Sequence, residues 1–288
     1  MRKIPVFLHI PKNAGTYVLG WTMTLFRYYA EKTNLQREKN TNRWLSLRRF
    51  LLQHESEQIA TLFVYDPYKV RESNQNFIQH PAHEYCNVVE LQNFLEELKN
   101  KKITLFSIII EDAGVQYIKQ NLYKDICEHN NTHPLYYTIF RDTYNRSKSL
   151  YNYIKSSKSA HEPTHNAIKS KTFVDYLNSH ELGDSWLIRR LTNITDNEII
   201  NEEIFNRACV VLDEFKIKDI KRTDELINDV FTECYNISQN IVGNNDRNVF
   251  KNSTSSDTFV FDDLDEKTKN AFLTRTELDR KLYTKYCI

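Results

Sequence analysis

Apolar residues fall into short runs separated by amphipathic stretches, and this alternation sets the expected order of elements. Residues 6–10, Val-Phe-Leu-His-Ile, form an apolar run stopped by Pro11, and Val18, Trp21, Leu25 and Phe26 then recur at helical spacing. The pattern predicts a strand, a tight loop and a helix. Residues 44–53 are basic and amphipathic, with Leu45, Leu47, Phe50 and Leu51 among Arg48 and Arg49, and predict a helix. Residues 59–65 read as a strand closed by Asp66-Pro67, and 69–86 as a polar surface loop carrying His80 and His83. A helix is expected over 88–99. The apolar, β-branched run 103–110 predicts a buried strand of the parallel type. A helix over 115–129 follows, then a strand over 135–140 running into Arg141-Asp142 and a helix to about 154.

Strands alternating with helices predict an α/β chain with a mostly parallel central sheet flanked by helices, whose ligands sit at the carboxyl ends of the strands. Beyond a Ser/Lys/His-rich connection over 156–171, helices are expected over 173–179 and 185–191, and a last strand over 208–212. A helix over 223–235, a polar loop over 243–257 and a closing helix over 262–286 complete the reading. No internal repeat or sharp change of composition divides the chain, so residues 1–288 are expected to form one domain.

Composition narrows the function classes. Aromatic residues make up 12%, against 5 Gly and 6 Pro, which excludes collagen-like and Pro-rich disordered chains. Lys and Arg total 39 against 38 Asp and Glu, so no overall field gathers nucleic acid or an acidic membrane, and any polyanion site must be local. The longest apolar stretches fall far short of the ~18–20 residues of a membrane span. The N-terminus runs straight into the first predicted strand, and a cytoplasmic protein is expected. The 5 cysteines are scattered without a C-x-x-C pair, which predicts reduced thiols and no metal site.

Two motifs carry chemistry. Phe7-Leu8-His9-Ile10-Pro11-Lys12-Asn13-Ala14-Gly15-Thr16 places a Lys, a Gly and a Thr in a strand-to-helix turn. Backbone N–H groups and the helix N-terminus make such a turn an anion cradle, Lys12 adds a mobile charge, and Thr16 is the expected helix cap. The order differs from the nucleoside-triphosphatase loop, because the Lys precedes the Gly. An ordinary turn with a surface Lys is the plainer reading of this motif alone. The second motif, Phe140-Arg141-Asp142-Thr143-Tyr144-Asn145-Arg146-Ser147-Lys148-Ser149-Leu150-Tyr151, sets a guanidinium fork at a strand end and Ser149 two helical turns on, a second phosphate site.

In this order the two motifs resemble the PAPS-dependent sulfotransferases, in particular the branch that includes the heparan sulfate 2-O- and 6-O-sulfotransferases and bacterial relatives. That family's loops look like F-x-H-I-P-K-T-G-G-T and R-D-P-x-x-R-x-x-S-x-Y. The resemblance implies a P-loop-kinase-like sulfotransferase fold and PAPS as sulfuryl donor, with PAP as product and no metal. It places Lys12 at the 5′-phosphosulfate, with Pro11, Asn13, Ala14, Gly15 and Thr16 forming the loop, and Arg141 and Ser149 at the 3′-phosphate. Asn13-Ala14 stand where Thr-Gly is usual, and Thr143 replaces Pro. Fainter likenesses add Arg189, in Trp186-Leu187-Ile188-Arg189-Arg190-Leu191, and Lys251, in Asn248-Val249-Phe250-Lys251-Asn252-Ser253, to the donor site. Each reads equally as a solvated surface charge.

Sulfuryl transfer needs a base for the acceptor and positive charge for the departing bisphosphate. Lys12 meets the second need. Glu111 falls where 2-O-sulfotransferase-like members carry a strand-end His and is the leading base; His83, His80, Asp112 and His9 compete, Asp112 also as a helix cap and His9 as a packing residue. The acceptor is expected to be a hydroxyl or amine of a neutral glycan or small natural product, since the near-zero net charge does not favour a heavily sulfated polymer. A nucleotide-dependent small-molecule kinase and a non-catalytic nucleotide-binding relative are the alternatives.

Overall fold

A computed structural model describes residues 2–32, 47–54, 57–64, 96, 103–111, 132–156, 163–192, 194, 198–237 and 259–288. Six strands, β1 (Arg2–His9), β2 (Leu47–His54), β3 (Glu57–Val64), β4 (Ile103–Glu111), β5 (Thr132–Phe140) and β6 (Lys216–Asp219), form one sheet in the order β2-β3-β4-β1-β5-β6. All neighbouring pairs are parallel except β2–β3, an antiparallel pair at the edge. The helices are α1 (Gly15–Lys32), α2 (Thr143–Ser156), α3 (Pro163–Ser170), α4 (Phe173–Leu177), α5 (Trp186–Thr192), α6 (Glu202–Leu212), α7 (Thr223–Tyr235), α8 (Glu266–Arg275) and α9 (Glu277–Cys287). The chain is therefore α/β, with a mostly parallel sheet flanked by helices.

Successive side chains of a strand point to opposite faces, so a strand buried on both sides feeds two cores. Phe7 of β1 and Tyr137 and Ile139 of β5 pack with Trp21 of α1 and Phe231 of α7. Their neighbours Leu8 and Phe140 pack on the other face with Ile188 of α5, Leu212 of α6 and Leu282 of α9. A third, aromatic cluster joins α2 to α4 and α8. Tyr151 lies 5.2 Å from Phe173, and Phe173 lies 4.4 Å from Phe259, ring centre to ring centre. Tyr151 also donates to the Lys171 carbonyl at 3.0 Å, so this motif tyrosine anchors α2.

Two expectations are corrected. Residues 47–53 do not form the expected helix: Leu47–His54 is β2, paired from Leu47↔Val64 to His54↔Glu57, and residues 44–46 lie outside the described residues. Only two residues separate His54 from Glu57, the spacing of a hairpin, and pairing with a strong neighbouring strand overrides the helical period. Residues 208–212 do not form a strand: they end α6, whose first turn is capped by the Asn201 side chain accepting from the Ile204 N–H at 3.0 Å. Within it Ala208 and Leu212 are fully buried while Val210 is 68% exposed, which is helical periodicity. The last strand is the short Lys216–Asp219. The closing helix divides at Thr276 into α8 and α9, and α8 starts behind the cap Asp265. The expected helix over 115–129, the loops over 69–86 and 243–257, and all of the helix over 88–99 but Glu96 lie outside the described residues. Among those described, no helix is long and apolar enough to cross a membrane, and no group of three His, Cys, Asp or Glu is arranged to hold a metal ion.

The sheet reverses its winding at β1 and β5. From β1 the chain proceeds to β2, β3 and β4 on one side, and from β5 to β6 on the other. The crevice between the carboxyl ends of β1 and β5 is therefore the switch point, where open α/β sheets bind ligands. Helix α2, which starts there, is held from below by a buried charge pair. Arg146 is 5% exposed and stacks over Trp186 at 4.2 Å. Asp279 of α9 is buried beside it and accepts from the Leu187 and Ile188 N–H groups at 3.0 and 3.1 Å, capping α5. Burial pushes the Asp279 carboxyl up, against the pull of Arg146 and of the two N–H groups. Asp279→Ala removes the acceptor of two buried donors and the partner of a buried cation. We predict a loss of about 3 kcal/mol, read as a lower urea midpoint with unchanged slope.

Candidate functional site

The loop between β1 and α1 is built under backbone constraint. Lys12 and Ala14 both adopt left-handed backbone, with φ of 68° and 60°, a conformation that L residues avoid. Asn13 between them pins the loop. Its N–H donates to the Ile10 carbonyl at 3.1 Å, its Nδ2 donates to the Ile139 carbonyl of β5 at 2.9 Å, and it is 1% exposed. Asn13 is thus turned inward and serves the loop's shape. Gly15 opens α1 against His9: a Cβ there would come within 1.9 Å of the His9 Nε2 and force the imidazole to move. His9 is accordingly a packing residue of this turn.

Ala14 stands at the cap position of α1, since its carbonyl accepts the first helical bond, from Val18 N–H at 3.0 Å. Thr16 lies inside the first turn and is not the cap expected for it. The starts of α2, α4, α6 and α8 are capped by their own side chains, Asp142, Thr172, Asn201 and Asp265, and that of α5 by Asp279, whereas α7 and α9 also start without a side-chain cap. Ala14 has no side-chain acceptor to offer. The first-turn N–H groups of α1 are therefore left to another partner, and α1 carries no acidic residue in that turn.

Arg141 leaves β5 and crosses the crevice. Its guanidinium donates to the Lys12 carbonyl at 3.5 Å, a long contact, and its charge acts on the Lys12 ammonium. Burial and the Arg141 charge hold the Lys12 ammonium below its ordinary value, and burial lowers Arg141 in turn, while Asp142 and Asp219 favour its charge. The pull of Asp219 follows from the sheet, where Phe140 pairs with Asp219 at the end of β6. Tyr283 of α9 donates to Asp219 at 2.6 Å. Among the described residues no carboxylate pairs with Lys12. Two half-buried cations thus adjoin each other at the switch point, next to an uncapped helix start, an arrangement that an anion would relieve.

Helix α2 brings Ser149 and Tyr153 to one face, four residues apart. The Lys12 Nζ lies 4.1 Å from the centre of the Tyr153 ring, so the lysine is directed toward this face. Pro11 lies in the turn before Lys12, and Glu111 ends β4 in register with His9, on the other side of β1 from Arg141. Strand ends β4, β1 and β5 thereby gather Glu111, Lys12 and Arg141 at one edge of the sheet. Arg189 sits on α5, with Nε donating to the Asp184 carbonyl at 2.8 Å. His80, His83, Asp112 and Lys251 lie outside the described residues. Sequence reading missed Tyr153 and Asp219. Only the spacing of four from Ser149 pointed to the first, and nothing pointed to the second once the last strand had been expected at 208–212.

Compared with known proteins, the chain matches no family model, no curated protein and no solved structure. The geometry of the site alone carries the functional reading. A consequence of the loop's backbone is open to test. Ala14→Gly removes a Cβ from a left-handed position at the cost of greater freedom in the unfolded chain. We predict a net gain of about 0.5–1 kcal/mol, measured as a higher denaturation midpoint.

Proposed function

We propose that the chain is a PAPS-dependent sulfotransferase acting on a hydroxyl or amine of a glycan or small natural product. The observation that supports this reading most is the Lys12–Arg141 pair: two cations from adjacent strand ends, at the switch point of a parallel sheet, with no carboxylate paired to Lys12 among the described residues. A donor with more than one phosphate group suits two cations brought close together at neighbouring strand ends. The residues present fit that group. Lys12 and the first-turn N–H groups of α1 would hold the 5′ side, and Arg141 with Ser149 the 3′-phosphate. When bound, PAPS would supply a sulfuryl group, and its transfer to the acceptor oxygen or nitrogen would leave PAP.

The chain's own residues then have distinct tasks. Lys12 and the α1 N-terminus put positive charge where the leaving phosphate becomes anionic. Arg141 fixes the donor by a planar fork, its charge favoured by Asp142 and Asp219. Glu111, at the end of β4, is the candidate to take the acceptor proton. Half-burial of both cations strengthens each of these interactions over its value in water.

Calorimetric titration with PAP, beside ADP and AMP, tests the reading. PAP is expected to bind selectively, and Arg141→Ala to weaken it by about 10–100-fold, the range of a charge-assisted hydrogen bond. Equal affinity for ADP, which lacks the 3′-phosphate, or no binding of PAP overturns the proposal, the first outcome in favour of a nucleotide-dependent kinase. Lys12→Ala is expected to remove most turnover with labelled PAPS. Glu111→Gln is expected to slow the chemical step while leaving PAP affinity close to wild type; full turnover in that variant removes Glu111 from the role of base. Anion affinity should also decline with rising pH earlier than for an ordinary lysine. The Lys12 ammonium is held below its usual value, and only its charged form attracts the anion.

A further inference from the structure

We propose that Tyr153 is a positioning residue for Lys12: its ring holds the lysine ammonium over the crevice between β1 and β5, so that an incoming anion meets a cation already in place. The proposal rests on the reading of Lys12 as a donor-binding residue. A lysine on a loop has a long, rotamer-rich stem, and ordering it on binding offsets part of what its charge contributes. Here the stem is already directed. Left-handed backbone at Lys12 sets where the side chain leaves the loop, and the Asn13 amide fixed to β5 holds that backbone in place. The ammonium then rests 4.1 Å from the Tyr153 ring centre, within the range of a cation–π contact.

The ring is suited to the role by its own placement. Tyr153 is 46% exposed and lies outside the aromatic cluster that anchors α2, whereas Tyr144 and Tyr151 of the same helix are buried within it. It is therefore the α2 tyrosine whose ring faces the loop rather than the core. It shares a helix face with Ser149, so the same rigid element that carries the candidate 3′-phosphate hydroxyl also sets the lysine. Arg141, on the neighbouring strand end, repels Lys12, and among the described residues no carboxylate holds the lysine in place. The quadrupole of the ring supplies the attraction that an acidic partner would otherwise give, without placing a negative charge where an anion must bind.

Two readouts test this. In the first, the full chain without ligand is pulse-labelled with a water-soluble amine-acylating reagent, and modification of Lys12 is followed by peptide mass spectrometry relative to the exposed Lys267. The ring favours the charged, unreactive ammonium and shields it. Tyr153→Leu should therefore speed Lys12 labelling about 2–5-fold, and Tyr153→Phe, which keeps the ring, should label as wild type. In the second, PAP affinity should fall about 2–5-fold in Tyr153→Leu and be retained in Tyr153→Phe. In a Lys12→Ala background, where the ring has no cation to hold, Tyr153→Leu should have no further effect. Unchanged Lys12 labelling in Tyr153→Leu overturns the proposal, as does faster labelling with unchanged or tighter PAP binding. An equal loss of affinity with and without Lys12 also overturns it, since the ring would then act on the ligand directly. If wild type binds no PAP, the donor reading falls, and the labelling result alone decides whether Tyr153 positions Lys12.

Discussion

The parallel pairing of β1 with β5 is the constraint on which the rest depends. It runs from Arg2↔Thr132 to Leu8↔Thr138, and side chains continue it past the last paired residues. The Thr138 hydroxyl donates to the Leu8 carbonyl, the Asn13 amide to the Ile139 carbonyl, and the Arg141 guanidinium to the Lys12 carbonyl. Each of these bonds lies nearer the mouth of the crevice than the one before. The sheet thus extends its register into the loops, and a lysine and an arginine far apart in sequence are brought together by backbone geometry that neither charge would choose.

The cost of that arrangement is distributed through the fold. Within the β1–α1 loop two residues accept left-handed backbone, α1 starts without a side-chain cap, and the Lys12 and Arg141 cations lie half-buried at neighbouring strand ends. Each departs from what local preference alone would select, and all of them fall within a few residues of the switch point. Elsewhere among the described residues most of the chain follows the ordinary rules: the starts of α2, α4, α5, α6 and α8 are capped by side chains, strand faces alternate into two cores, and the buried Arg146 is matched by a buried carboxylate and an indole face. A strained, charge-crowded patch on an otherwise conventional scaffold is what marks the site.

Much of this was legible in the sequence. The apolar runs at 6–10, 103–110 and 135–140 are buried on both faces, so their composition signals strands without help from context, and they became the three central strands. Lys12 and Arg141 were legible because each closely follows such a run. The edges were harder. Lys216–Asp219 has the sequence Lys-Ile-Lys-Asp, too short and too polar to stand out, and it exists as a strand because β5 offers it a partner at the Phe140↔Asp219 level. The basic segment at 47–54 likewise became a strand through its hairpin partner, which no local period announces. Tyr153 escaped notice for a different reason: sequence spacing showed that it follows Ser149 by one helical turn, but not that a lysine from another strand end would lie over its ring.

The matching of Arg146 with Asp279 has a bearing on the order in which the molecule is assembled. Helix α2 carries the arginine at the middle of the sequence, and the carboxylate that balances it comes only with α9, far along the chain. Until that helix docks, the arginine beneath the site-bearing helix lacks its buried counter-charge, and the start of α5 lacks its cap. The crevice is thus completed by a helix far along the chain from the strands that line it, so the anion site closes only once that long-range contact has formed.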